Sequence, residues 1–203
     1  MIKNIVIKTL VTGALLAGAF SQAAVAAEVA GIKFADSTKV AGKELQLNGL
    51  GTRNKFIVKV YAVGLYLQDK KSTVEEVFAA EGPRRIQLVM MRDIASEDFG
   101  NAFMSGINNN SDTKEKTKIV TQISTFGEMF AGIEGLKKGD VLDTDWIPGQ
   151  GTVCSLNGKR IGQVTPDIAF YNAIMKIWLG NKPADSALKP KLLAAATAAP
   201  AKK

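Results

Sequence analysis

The chain has 203 residues, with 26 Lys and Arg against 19 Asp and Glu, and its formal charge of +7 arises without a single His. The basic residues are spread thinly and are not interleaved with aromatic side chains, so the charge does not indicate a nucleic-acid partner. One Cys and no His exclude an internal disulfide and argue against a zinc site or a Ser-His-Asp triad. We therefore expect no metal and no cofactor, and any chemistry must come from Arg, Lys, Tyr or carboxylates.

Residues 1–27 have the pattern of a secretory signal peptide. Lys3 and Lys8 precede an apolar run over residues 9–20, and small residues follow it. The run is short for a bilayer-spanning helix, which needs about 20 apolar residues. We expect cleavage near Ala26 or Ala27, export to the periplasm and no stable membrane insertion afterwards. A retained membrane anchor is the alternative.

Residues 28–193 are expected to form one domain, since removal of the leader leaves about 176 residues, enough for a hydrophobic core. The Ala- and Lys-rich residues 194–203 are expected to be a disordered tail. The single thiol, Cys154, lies in an alternating segment that predicts a buried strand position.

The first half of the domain is predicted to be rich in strands. A hairpin is expected within residues 29–42 and a strand within residues 43–51. The strongest strand pattern covers residues 56–67. Alternation divides its first eight positions between two faces. The apolar face, which we expect to pack on the core, carries Phe56, Val58, Val60 and Ala62. The mixed face, which would meet water, a second layer or a ligand, carries Ile57, Lys59, Tyr61 and Val63.

The second half mixes helices with strands. Helices are predicted over residues 72–82, 96–108, 114–131 and 166–180, with a short helix near the C-terminus, and strands over residues 84–92 and in a hairpin around Asn157 and Gly158. Strands and helices do not alternate regularly. This order predicts an α+β fold in which helices pack against an antiparallel sheet.

The segment KELQLNGLGTR followed by FIVKVYAVGLYL resembles the start of the chalcone isomerase superfamily, and the Gly-x-Gly-x-Arg turn is its most specific part. The similarity extends from about residue 30 to residue 193, and the leader makes the chain similar to exported bacterial members. The resemblance implies an open-faced β-sandwich, with helices packed on one face of an antiparallel sheet and an apolar cleft between them.

The resemblance assigns a possible catalytic role to Arg53. In the plant isomerases, which are intramolecular lyases, an arginine in this turn polarises the substrate ketone and stabilises the enolate. Other positions depart from that pattern. Tyr61 stands where the enzymes have Thr, Phe99 where they have Tyr, Gly106 where they have Asn, and Ile177 near a Thr or Ser. The loss of these polar groups favours a binding protein over an isomerase.

Fatty-acid-binding members of the superfamily hold a carboxylate with an arginine and a tyrosine. The resemblance implies that Arg53 and Tyr61 bind the head of a small amphipathic ligand, either a fatty acid or a flavonoid-like molecule, with Lys59 as a further candidate. The tail would contact three aromatic residues of the predicted helices: Phe99, Phe103 and Trp178.

One geometric condition applies to this pair. Eight residues of straight strand span roughly 26 Å, so Arg53 and Tyr61 can meet only if the chain reverses between them, which we place at Asn54 and Lys55. The structural alternative pairs Arg53 on the surface with Asp69 or Asp98. The sequence leaves the oligomeric state and the identity of the ligand open.

Overall fold

A seven-stranded antiparallel sheet is the centre of the computed structural model, which describes residues 26–194. The strands of the described residues, which include two short pairs (β1 with β2 and β7 with β8) outside this sheet, are β1 (Ala26–Val29), β2 (Ile32–Ala35), β3 (Ser37–Val40), β4 (Lys43–Lys55), β5 (Val58–Leu67), β6 (Arg84–Met90), β7 (Ile94–Ala95), β8 (Gly135–Leu136), β9 (Val141–Ile147), β10 (Gly151–Leu156) and β11 (Lys159–Thr165). The helices are α1 (Val74–Ala79), α2 (Ser96–Asn110), α3 (Thr113–Lys118), α4 (Val120–Ala131) and α5 (Ile168–Leu179), followed by a 3₁₀ helix (Lys189–Leu192). The sheet order is β11-β10-β9-β6-β5-β4-β3.

The predicted α+β fold is confirmed. Helices α2, α4 and α5 contribute aromatic and aliphatic side chains to the main core on one face of the sheet. A smaller apolar cluster, which includes Phe34 of β2 and Tyr66 of β5, covers part of the opposite face. No helix within residues 26–194 is long and apolar enough to cross a bilayer.

The terminal segments stay predictions. Residues 1–25, which hold most of the expected signal peptide, and residues 195–203 of the expected tail lie outside the described residues.

The predicted strand over residues 56–67 needs two corrections. It starts at Val58, because Phe56 and Ile57 form the turn between β4 and β5. The core face was also assigned wrongly, since Tyr61 and Val63 of the mixed face lie in the main core. Alternation could not distinguish the faces, because the sheet is covered by apolar groups on both sides.

The predicted helix over residues 114–131 is interrupted. Asp112 caps α3 by accepting a hydrogen bond from the Glu115 backbone. Helix α3 ends at Lys118, and the next residue, Ile119, has a φ of −113° and a ψ of 14°, which depart from helical geometry. Helix α4 then begins at Val120. The break in helical geometry lies at Ile119, which is buried and only 1% exposed. The Asn157-Gly158 hairpin is confirmed, with both residues at positive φ.

The 3₁₀ helix packs against the middle of β4, where Asn48 is an extra residue in the ladder. Leu47 pairs with Tyr66 and Gly49 pairs with Leu65, so Asn48 has no partner in β5 and forms a bulge. Its side-chain amide donates to the Leu192 carbonyl at 2.8 Å. This contact joins the C-terminal segment to the strand that leads to Arg53.

Gly49 is the position where the 3₁₀ helix approaches β4 most closely. A Cβ atom added there would lie 2.6 Å from the Leu192 carbonyl carbon. We expect Gly49→Ala to lower the free energy of unfolding by about 1–3 kcal/mol, because backbone must move to admit the methyl group. Guanidinium unfolding followed by circular dichroism measures the change.

Gly127→Ala is the matched control, since Gly127 lies in α4 and an added Cβ has nothing within 4 Å. Alanine favours a helix over glycine by about 1 kcal/mol, so this variant should be as stable as the parent or more so. Equal stability of the two variants would contradict the close packing at Gly49.

Candidate functional site

The hairpin of β4 and β5 places Arg53 directly opposite Tyr61. The two residues are register partners, and the guanidinium carbon lies 5.8 Å from the centre of the Tyr61 ring. This distance is within the range of a cation–π contact. The expected chain reversal is therefore present, but it occurs at Phe56 and Ile57 and not at Asn54 and Lys55.

A second bulge adjusts the direction of the side chains near Tyr61. Arg53 pairs with Tyr61 and Asn54 pairs with Lys59, which leaves Val60 without a partner in β4. Consecutive residues of a regular strand point to opposite faces, whereas Val60 and Tyr61 both contribute to the main core. The bulge thus directs both side chains to the helical side of the sheet.

The Tyr61 hydroxyl accepts a hydrogen bond from a helix residue. Tyr61 is 6% exposed, and its oxygen accepts a hydrogen bond of 2.9 Å from Trp178 Nε1. Burial raises the pKa of Tyr61 to about 12, although the neighbouring Arg53 charge and the Trp178 hydrogen bond both act to lower it. The hydroxyl therefore keeps its proton at neutral pH, and no group within residues 26–194 accepts a hydrogen bond from it.

A cavity of about 440 Å³ opens beside this pair. Small-molecule sites in proteins are typically about 300–1,000 Å³. Arg53 and Tyr61 lie in its wall together with the three predicted aromatic contacts, Phe99, Phe103 and Trp178. Lys59 is exposed and is not part of the lining. The structure thus brings together five of the six residues proposed from the sequence.

Phenylalanine packing gives the apolar wall a fixed shape. The Phe103 ring stacks on Phe126 with ring centres 4.3 Å apart, and Phe99 packs on Phe130 at 4.9 Å. Helices α2 and α4 supply these four rings, so the wall rests on two helices and not on loops.

Sequence reasoning missed the charged rim of the cavity. Lys55, Arg92 and Asp93 line it together with Asp98, which the sequence suggested only as an ion-pair partner of Arg53, and all four are exposed. Arg92 follows the end of β6, the neighbour of β5, and Tyr61 pairs with Met90. An antiparallel pairing of these two predicted strands would have placed Arg92 near the site.

The structural alternative for Arg53 is not observed. Within residues 26–194, no carboxylate lies within 4.0 Å of the Arg53 guanidinium, and neither Asp69 nor Asp98 forms an ion pair with it. Arg53 is half-buried at the cavity wall. Its charge is available to an anion that enters the cavity.

Two other buried groups lie apart from this cavity. Cys154 is 3% exposed beside Thr144, and burial raises the pKa of its thiol to about 12, as expected for a packing residue and not a nucleophile. Arg84, which sequence reasoning did not single out, is 3% exposed and donates to the Val77 carbonyl and to Asn172. Its guanidinium carbon lies 5.6 Å from the centre of the Tyr171 ring.

Comparison with protein families gives one match that covers the described domain. The family model described as chalcone isomerase-like matches residues 26–194. The chain belongs to the chalcone isomerase-like family. Among the curated proteins, no match was found.

A solved structure supports the same fold. The crystal structure of an Arabidopsis thaliana fatty-acid binding protein matches with a TM-score of 0.63 and 18% identity, over 80% of this chain and 91% of that one. Both proteins therefore share the chalcone isomerase-like fold.

Two departures from the plant isomerase pattern contact each other in this chalcone isomerase-like protein. A Cβ atom added at Gly106 would lie 2.9 Å from Cγ2 of Ile177, and Ile177 lines the cavity. An Asn at position 106 would collide with this isoleucine. The two replacements therefore form one apolar contact in place of two polar groups.

The three tyrosines of the chain, of which only Tyr61 lines the cavity, provide a test of burial in the fold. Burial is the main cause that raises the pKa of Tyr61 and Tyr66 to about 12, and it raises that of Tyr171 as well. Unfolded tyrosine titrates near pH 10. We expect the folded protein to show no tyrosinate absorbance below about pH 11, and the protein unfolded in guanidinium to titrate near pH 10.

The sign of the stability change follows from linkage. Above pH 10 the unfolded state loses protons that the folded state keeps, so stability is fully present below pH 10 and is lost as the pH rises towards about 12. The loss should be about 1.4 kcal/mol per pH unit for each tyrosine. Tyrosinate absorbance near pH 10 in the folded protein would contradict the burial of these tyrosines.

Proposed function

We propose that this protein binds a small amphipathic anion, such as a fatty acid, in the cavity beside the β4–β5 hairpin. The observation that carries the proposal is the Arg53 guanidinium at the wall of a cavity that joins a charged rim to an aromatic interior, where no carboxylate of the described residues pairs with it. The carboxylate of the ligand would accept hydrogen bonds from Arg53 and from the Tyr61 hydroxyl.

The polarity of the site fits such a ligand. A charge at the edge of a low-dielectric region is costly unless it is paired, so a ligand carboxylate would complete the interactions of Arg53. Charge-assisted hydrogen bonds of this kind are stronger than neutral ones. Beyond the head, Phe99, Phe103 and Trp178 offer contacts for a hydrocarbon chain.

The fold provides further support. A fatty-acid binding protein has the same fold, and the two chains are similar over most of their length. The isomerase alternative requires Arg53 to polarise a ketone, but the contact between Gly106 and Ile177 leaves apolar groups where the resemblance implies polar ones. The N-terminal pattern of residues 1–27 supports export, and we propose that the ligand is bound in the periplasm.

Removal of the guanidinium tests the proposal. We expect Arg53→Gln to weaken binding of a fluorescent fatty acid by about 10- to 100-fold, because hydrogen bonds to charged groups contribute about 1.5–3 kcal/mol. Lys59→Gln is the matched control, since Lys59 is exposed and does not line the cavity. Fluorescence titration at neutral pH measures both dissociation constants.

Tyr61→Phe should have a smaller effect, about 3- to 10-fold, because it removes one hydrogen bond from an uncharged donor and keeps the ring beside Arg53. Equal affinity of Arg53→Gln and the parent would refute the assigned head-group site. A progress curve with naringenin chalcone tests the isomerase alternative, and acceleration above the spontaneous rate that is lost in Arg53→Gln would establish catalysis in place of simple binding.

A further inference from the structure

The turn between β4 and β5 exposes apolar side chains. Phe56 is 93% exposed, Ile57 is 98% exposed and Val58 is 40% exposed. Lys55 and Lys59 flank them and are exposed as well. The hairpin tip, residues 55–59, is thus three apolar residues between two lysines.

The composition of the hairpin tip does not serve the fold. Turns normally carry Gly, Asn or Asp at positions of positive φ, whereas Phe56 has a φ of 55°, which bulky residues rarely adopt. Side chains that stay exposed to solvent gain no burial energy in the folded protein. A role outside the fold would account for both the backbone conformation and the exposure.

The hairpin tip is also part of the cavity entrance. Lys55, Phe56 and Val58 line the cavity together with Arg53 and Tyr61. Any surface that the tip contacts is therefore brought to the opening of the candidate binding site.

We propose that the hairpin tip docks on an anionic lipid bilayer. Apolar side chains at a protruding turn can enter the boundary between head groups and acyl chains, while the lysines beside them pair with anionic head groups. Arg92 adds a third positive charge at the rim, partly offset there by Asp93 and Asp98. Docking would let a fatty acid pass between the bilayer and the cavity. This transfer of a fatty acid rests on the proposed function, whereas the docking itself does not.

The size of the apolar patch favours a bilayer over a protein. Stable protein interfaces bury about 800 Å² on each partner. Three side chains at the end of a hairpin form a much smaller patch, but they suffice for shallow insertion when basic groups add electrostatic attraction. Docking of this kind also requires no membrane-spanning helix.

Vesicle flotation tests the docking. The natively processed protein should float with vesicles of phosphatidylcholine and phosphatidylglycerol, less with phosphatidylcholine alone, and less again at high salt, which screens the lysines. Ile57→Asp should weaken association with the anionic vesicles at least tenfold. Val120→Asp is the matched control, since Val120 is a 62% exposed hydrophobic residue on α4, and this variant should float like the parent.

A fluorescent label gives an independent measure of insertion. Cys154 is buried, so Ile57→Cys provides a single accessible thiol for an environment-sensitive dye. Anionic vesicles should shift the emission of this label to shorter wavelength, and they should leave the same label at Val120→Cys unchanged.

The two proposals can fail separately. Ile57 does not line the cavity, so Ile57→Asp should bind the fluorescent fatty acid in solution like the parent but take it up more slowly from vesicles. Arg53→Gln should float normally and bind the acid weakly. Equal flotation of the parent and Ile57→Asp, or no flotation of the parent, would overturn the docking. Self-association of the parent that Ile57→Asp abolishes would assign the tip to a second copy of the chain and overturn it as well.

Discussion

The pairing of Arg53 with Tyr61 across the β4–β5 hairpin is the interaction on which the site depends. It positions a guanidinium and a phenol at the wall of one cavity, although eight positions separate them in the chain. Trp178 of α5 holds the phenol from the helical side. Sheet and helices therefore share the polar end of the cavity, and its geometry is set by the packing of the whole domain.

Much of the fold could be predicted from local patterns. The strand and helix patterns and the Asn157-Gly158 turn are local signals, and the structure contains the corresponding elements, although the helix predicted over residues 114–131 is interrupted. The resemblance to a known family supplied Arg53, Tyr61 and the aromatic wall. It could do so because the Gly-x-Gly-x-Arg motif is a specific sequence signal, although the structure places it inside β4 and not in a turn.

The remaining features depend on contacts between distant parts of the chain. Alternation grouped Tyr61 with Val63 correctly, but it could not show that Val60 is a bulge or which of two apolar faces the helices cover. Lys59 was proposed as a ligand contact because it shares the predicted face of Tyr61, but it lies beyond the bulge and points to solvent. Arg92 was missed because its place at the rim follows from the pairing of β5 with β6.

The two bulges, at Asn48 and Val60, lie on either side of the Arg53–Tyr61 pair. Each one shifts the ladder by one residue, so together they define which side chains of the intervening segment point inward. Side chains of this segment can be exchanged one at a time, whereas a single inserted or deleted residue would turn every following side chain to the opposite face. The side chains that line the cavity can therefore change by substitution while the number of residues in β4 and β5 stays constant.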